Sequence, residues 1–191
     1  MKLNKKLILG SNSPRRKEIL ALAGYDFEVI VKPTDEHFDS TIPVEKVPVF
    51  LAKKKSECFN EYDSETIVLC ADTVVIIDGK ILNKPSDEEE AISMLKTLSG
   101  KMHLVVTGIS IKIGDNYETH ADVAEVYFDN LTDEEICYYV KKHKPFDKAG
   151  SYGVQDFIGM IGIPKINGSF YTVMGLPIHL VYQSLKKYMV L

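Results

Sequence analysis

Apolar and polar positions along this chain change period repeatedly, and each change predicts an element. A short apolar strand runs from Lys6 to Gly10 and passes through Ser11-Asn12-Ser13 into a helix beginning Pro14-Arg15-Arg16. Ile19, Leu20 and Ala23 recur at helical spacing, and Gly24 is placed to stop that helix. A strand near Phe27 to Lys32 leads into an acidic loop with Asp35 and Glu36, and a helix follows from about Pro48 to Phe59. Thr66 to Ile77 is an almost unbroken apolar strand, turned back by Asp78-Gly79 through Lys80-Ile81-Leu82.

Ser86-Asp87-Glu88-Glu89 has the form of a capping box, opening a helix that ends at Gly100. Two longer strands, Met102 to Ile113 and Tyr117 to Phe128, pair around Gly114-Asp115-Asn116. Thr132-Asp133-Glu134-Glu135 caps a helix carrying Ile136, Tyr139 and Val140, and a loop covers Lys141 to Gly153. Asn167-Gly168 is a further hairpin signal, and Gly175-Leu176-Pro177 starts a C-terminal helix. Hairpins mixed with helical crossovers predict an α/β fold, with a mixed, mostly antiparallel sheet flanked by helices.

Composition narrows the class. A chain of 191 residues has room for one α/β domain, or two closely packed lobes sharing a sheet. It is long enough for a core without disulfides or structural metal. No linker, low-complexity tract or repeat divides it, so residues 1–191 are expected to form a single domain. The net charge of -4 lacks the broad basic surface of nonspecific nucleic-acid binding, so any anion site must be local. Cys58, Cys70 and Cys137 have no metal-ligand spacing and read as buried thiols of a reducing compartment. Leu7-Ile8-Leu9 is too short for a signal or membrane segment, which makes the cytoplasm the expected location and a membrane partner unexpected.

Candidate chemistry stands out in two places. Helices starting after Ser86 and Thr132 place acids in the first turn, where the partial positive charge of a helix N-terminus favours them. The helix after Ser13 instead carries Arg15, Arg16 and Lys17, each opposing the dipole at about 0.3–1 kcal/mol unless compensated. A bound polyanion would compensate, and strand, polar loop and helix start together form a phosphate cradle. Pairing of these cations with acids elsewhere, or simple solvation, is the plainer alternative. Neither GxxxxGK[ST] nor GxGxxG is present.

Asp72 is the second place, since it sits inside the apolar run Val68 to Ile77. A carboxylate there is costly unless it meets a cation, a metal or several donors. Threading the Asp78-Gly79 hairpin brings Lys84 within one strand spacing, about 5 Å, of the Asp72 neighbourhood. An unbroken ladder would put Lys84 on the face of Thr73, so a bulge or a strand exit at Pro85 is needed for both to serve one site. On the helix after Pro48, Val47, Phe50, Leu51 and Cys58 define an apolar stripe, with Lys54 near its centre and Lys55 at its edge. The five histidines lack i, i+4 pairing, so zinc is not expected, whereas Glu36 and Asp72 would suit Mg²⁺ or Mn²⁺.

Six segments, in order along nearly the whole chain, resemble the Maf family of nucleoside triphosphate pyrophosphatases, also called septum-formation-inhibitor proteins. They are Leu9 to Arg16 (LGSNSPRR), Ala71 to Val75 (ADTVV), Asn83-Lys84-Pro85, Ser99 to His103 with Thr107-Gly108, Asp147 to Gln155 (DKAGSYGVQ), and Ile166 to Ser169 through Gly175-Leu176-Pro177. The resemblance implies a curved mixed sheet with two helical lobes around a cleft, similar to inosine-triphosphate pyrophosphatases. It also implies hydrolysis between the α- and β-phosphates with a divalent metal, Mg²⁺ or Mn²⁺.

By matching position, Asp72 would activate water or bind the metal, and Glu36 would help hold the metal. Ser11, Ser13, Arg15 and Arg16 would hold phosphates, while Lys55 and Lys84 would neutralise developing charge. DKAGSYGVQ is similar to the branch that takes dTTP and UTP, with Arg16, Thr73 and Gln155 at its specificity positions; an amide suits a pyrimidine edge. Gly10 stands where alanine is usual and Asp156 where glycine is usual. The alternatives are the 7-methyl-GTP branch and a nucleotide-binding regulator of septum formation. The implied role is cleaning of the nucleotide pool, the implied partner is a nucleoside triphosphate, and a homodimer is the first candidate assembly.

Overall fold

The computed structural model describes residues 1–190. In chain order, β1 (Lys6–Leu9), α1 (Pro14–Leu22), β2 (Glu28–Val29), α2 (Val47–Glu57), β3 (Thr66–Ile77) and β4 (Lys80–Leu82) come first. They are followed by α3 (Glu88–Leu98), β5 (Met102–Ile113), β6 (Asn116–Tyr127) and α4 (Asp133–His143). The last elements are α5 (Phe157–Gly162), β7 (Lys165–Asn167), α6 (Phe170–Met174) and α7 (Ile178–Leu185). Strand order in the seven-stranded sheet is β2-β1-β3-β5-β6-β7, with β4 beside β3. The sheet is mixed: β1 runs parallel to both β2 and β3, while β3–β4 and β6–β7 are antiparallel.

The chain divides into two compact units. The first comprises Met1–Asp72, Thr107–Asp122 and the segment from Gly175 onward; the second comprises Thr73–Val106 and Val123–Met174. In the first unit, Leu7, Ile8 and Leu9 of β1 are buried in register with Ile67, Val68 and Leu69 of β3. Ile19 and Leu20 of α1 and Leu51 of α2 are also buried there. Each such side chain contributes about 1.5–3 kcal/mol by leaving water. In the second unit α3 packs against α4, burying Leu95, Leu98, Ile136 and Tyr139. His103 joins a ring cluster with Phe128 and Tyr152, and its Nε2 lies 2.7 Å from the Tyr152 hydroxyl. Burial pushes the His103 imidazole down to about 4, so it is a neutral member of the core.

Several local expectations shift when tertiary contacts are in place. The strand expected from Phe27 to Lys32 is only Glu28–Val29, which pairs with two residues of β1. The cap of α3 is Asp87 rather than Ser86: Asp87 accepts the Glu90 N–H at 2.8 Å, and Glu90 reaches back to the Ser86 N–H at 2.7 Å. α4 continues to His143, so the loop expected from Lys141 begins three residues later. Asn167-Gly168 does not make a hairpin. Gly168, at φ 133°, lies so close to β6 that a Cβ there would sit 2.8 Å from the Ala124 Cα, and the chain turns into α6. The sequence pattern did not reveal α5. Of the cysteines, only Cys70 is buried; Cys58 and Cys137 are half-buried, and all three are free thiols.

Candidate active site

In the first unit, the loop between β1 and α1 is shaped by close approach rather than by a Gly-rich turn. Gly10 donates its N–H to Leu69 O at 2.8 Å, and a Cβ there would lie 2.5 Å from Cys70 Sγ and 3.2 Å from the Phe59 ring. Cys70 thus fills the volume that any side chain at position 10 would need. Gly10→Ala is expected to destabilise the protein by about 1–3 kcal/mol through overpacking. Adding Cys70→Ala should recover most of that loss, so the pair will be strongly non-additive in urea unfolding; additive losses would refute the packing argument. The Cys70 thiol is chemically quiet, because burial pushes it up to about 12 despite the nearby positive charges of Lys55 and Arg16.

Ser13 is the N-cap of α1 but makes no side-chain cap bond. Ser11 supplies the ordering oxygen instead: its Oγ accepts from the Ser13 N–H at 3.3 Å and from Arg16 Nη1 at 3.1 Å. Arg16 Nε donates to Gly175 O at 2.8 Å, tying the start of α1 to the turn before α7. Burial lowers the Arg16 pKa from its ordinary value, while the negative charges of Asp72 and, less strongly, Glu36 oppose that shift. A guanidinium remains charged through such a contest, so Arg16 is a fixed cation facing two carboxylates. Arg15 is half-buried beside it, and Lys17 turns away to Asn12 Oδ1 at 2.9 Å.

The β3 strand is buried along its length except at Asp72 and Thr73, which are half-buried. Lys55 Nζ lies 2.5 Å from Asp72 Oδ1 and 2.7 Å from Glu36 Oε1, so one ammonium is shared by two carboxylates. The exposures of Lys55 (17%) and Asp72 (13%) mark a partly desolvated pair, whereas Glu36 is 55% exposed. Lys54 instead pairs with Asp35 at 3.0 Å and with His37 O at 2.9 Å, outside this cluster. The buried face of α2 runs through Val47, Pro48, Leu51, Ala52 and Ser56. Phe50, expected on the stripe, is 40% exposed, and that rotation brings Lys55 rather than Lys54 to Asp72.

In the second unit, β4 ends at Leu82 after the predicted pairs Ile77–Lys80, Ile76–Ile81 and Val75–Leu82. Asn83 and exposed Lys84 lie beyond the ladder, before buried Pro85. The ladder thus stops before the expected pairs Val74–Asn83 and Thr73–Lys84, and the chain leaves the strand earlier than the exit expected at Pro85. Gln155 sits just ahead of α5 and is half-buried, and its Oε1 is buried with no hydrogen-bond partner. Tyr139 and Asp156, to which the sequence pattern assigns no role, are joined beside Gln155: the Tyr139 hydroxyl donates to Asp156 Oδ2 and accepts the Gly153 N–H. Their signal was weak, because a tyrosine on an apolar helix face reads as core.

Residues as chemistry define a class first: a mixed α/β protein with arginines, a bridging lysine and paired carboxylates beside a helix start. The family model described as Maf-like protein matches residues 6–188, and the chain belongs to that family. A relative from Porphyromonas gingivalis strain W83, named dTTP/UTP pyrophosphatase, is 49% identical over 189 residues, covering 96% of this chain and 94% of the relative. A Phocaeicola vulgatus protein of the same name is 44% identical, with 95% of each chain covered. Among solved structures, the Staphylococcus aureus Ham1 protein aligns with a TM-score of 0.45 at 13% identity, covering 65% of this chain and 72% of that one.

Proposed function

We propose that this protein is a nucleoside triphosphate pyrophosphatase that hydrolyses dTTP and UTP to the monophosphate and pyrophosphate. The observation that carries the reading is Asp72, set at the half-buried break in β3, held by Lys55 together with Glu36 and facing Arg16. The names of relatives at 44–49% identity over nearly the whole chain support the substrate. In this reading residues 1–191 work as one catalytic domain.

Water attacks the α-phosphorus as Asp72 takes its proton; the new P–O bond forms as the bond to the bridging oxygen breaks. The electron pair leaves with pyrophosphate. Ser11, Ser13, Arg15 and Arg16 hold phosphate oxygens, and Lys55 and Lys84 neutralise the charge that builds up on them. Such chemistry needs mainly positioning and charge compensation. Thr73 and Gln155, with Arg16, select the base.

The donor set fits a divalent cation. Among the described residues no group of three or more His, Cys, Asp or Glu side chains forms a metal site. Mg²⁺, however, commonly takes one or two carboxylates with substrate phosphates supplying the rest, and Asp72 and Glu36 already surround one positive charge. Those two residues would hold Mg²⁺ or Mn²⁺, which would supply Lewis-acid polarisation of the phosphate oxygens.

Among the described residues no helix is long and apolar enough to cross a membrane. A cytoplasmic homodimer engaged in nucleotide-pool cleaning completes the proposal.

Pyrophosphate and phosphate release from dTTP, UTP, CTP, GTP and 7-methyl-GTP, with Mg²⁺ or Mn²⁺, tests the reading. Pyrophosphate is expected from dTTP and UTP. Preference for 7-methyl-GTP would overturn the substrate, and nucleotide binding without hydrolysis would replace the enzyme with a regulator.

A further inference from the structure

The segment that carries Gln155 is fixed from several directions within the second unit. Gly150, at φ 66°, donates its N–H to Asn83 O at 3.2 Å and lies against Val75, where a Cβ would meet the side chain at 3.0 Å. The Tyr139 hydroxyl accepts the Gly153 N–H at 3.1 Å and donates to Asp156 Oδ2 at 2.7 Å. Asp156 closes the loop, with its own N–H on Gly153 O at 3.0 Å. Gln155 is therefore bracketed by two residues joined through one phenol.

Asp156 stands at the N-cap of α5, where an aspartate ordinarily accepts a first-turn N–H and contributes about 1 kcal/mol to the helix. It makes no side-chain cap bond there; its carboxylate is turned to Tyr139. Lys148 lies 3.7 Å from the same carboxylate. Tyr139 is fully buried on α4 and stacks on His143 with ring centroids 5.0 Å apart. Burial, then the bond to Asp156, raises its pKa, so the hydroxyl stays protonated and keeps donating. A Cβ on Gly153 would fall 2.5 Å from Asp156 Oδ2, so carboxylate and backbone are in close contact.

The buried Gln155 Oε1, without a partner, is an acceptor that awaits a donor. A uracil or thymine ring presents N–H at N3; cytosine has a bare nitrogen there. An amide oxygen held in one place favours the first and leaves the second unpaired. We infer that Tyr139 and Asp156 are positioning residues for base selection, a phenol–carboxylate clamp that holds Gln155 where its Oε1 accepts N3–H of uracil or thymine. The inference rests on the reading of Gln155 as the group that meets the base.

The test compares kcat/KM for UTP and CTP in the wild type, Gln155→Ala, Tyr139→Phe, Asp156→Gly, Asp156→Asn and Ile136→Val. Tyr139→Phe keeps the ring and removes both hydroxyl bonds; it should lower the UTP-to-CTP ratio by about tenfold, mainly through KM for UTP. Asp156→Gly, which leaves the core intact, should do the same, while Asp156→Asn keeps an acceptor and should hold the ratio. Ile136→Val also weakens the buried face of α4 but keeps both hydroxyl bonds of Tyr139, so it should lower the melting temperature and leave the ratio unchanged.

Loss of selectivity in Gln155→Ala but not in Tyr139→Phe or Asp156→Gly overturns the clamp and leaves the role of Gln155 standing. An unchanged ratio in Gln155→Ala overturns both. An equal shift in Ile136→Val reduces Tyr139 to a packing role and overturns the clamp.

Discussion

Asp72→Asn is expected to lower turnover of dTTP and UTP by about 10³-fold while the protein stays folded. Asparagine has nearly the shape of aspartate, so the β3 strand, buried on either side of position 72, keeps its packing. Lys55 keeps Glu36 as an acidic partner, which avoids stranding a buried ammonium. What disappears is the proton acceptor and a negative charge facing Arg16. Pyrophosphate release should therefore collapse with little change in circular dichroism. Turnover close to wild type would remove Asp72 from the reaction, however well it is placed.

Lys55→Met is the second large effect, and it separates charge from chemistry. Without the ammonium, Asp72 and Glu36 lose their shared cation and face each other as like charges. Turnover should fall by about 10²-fold, the range for losing one positive group aimed at developing charge. In buffer freed of metal by chelation the melting temperature should drop, because the largely buried Asp72 carboxylate has lost its ammonium partner.

Adding Mn²⁺ should restore more stability to the variant than to the wild type, since the dication no longer competes with Lys55. A tenfold gain in metal affinity corresponds to about 1.4 kcal/mol, or about 3–6 °C of extra stabilisation for a chain this size. An identical Mn²⁺ response in both proteins would show that Asp72 and Glu36 do not share a metal.

Much of this arrangement could be read along the chain because it is local. The limits of β3, the register across Asp78-Gly79, the capping box at Thr132 and the basic start of α1 depend on residues a few positions apart. Strand alternation, turn chemistry and capping act over that range. Asp72 was legible for the same reason: a carboxylate inside an apolar run contradicts its neighbours and needs an explanation from elsewhere.

The remaining features depend on groups far apart in sequence. Helical spacing alone left Lys54 and Lys55 undecided; the rotation of α2 against its core exposes Phe50 and brings Lys55 to Asp72, 17 positions away. Asn167-Gly168 has the composition of a hairpin, but close approach to Ala124 sends the chain into a helix. Gly10 is explained by Cys70, and Asp156 by Tyr139, neither of which is a sequence neighbour. Local propensities amount to a few tenths of a kcal/mol per residue, whereas a Cβ placed 2.5 Å from a sulfur or a carboxylate stripped of its cation costs kcal/mol. Where the two compete, packing and charge compensation between distant segments set the outcome.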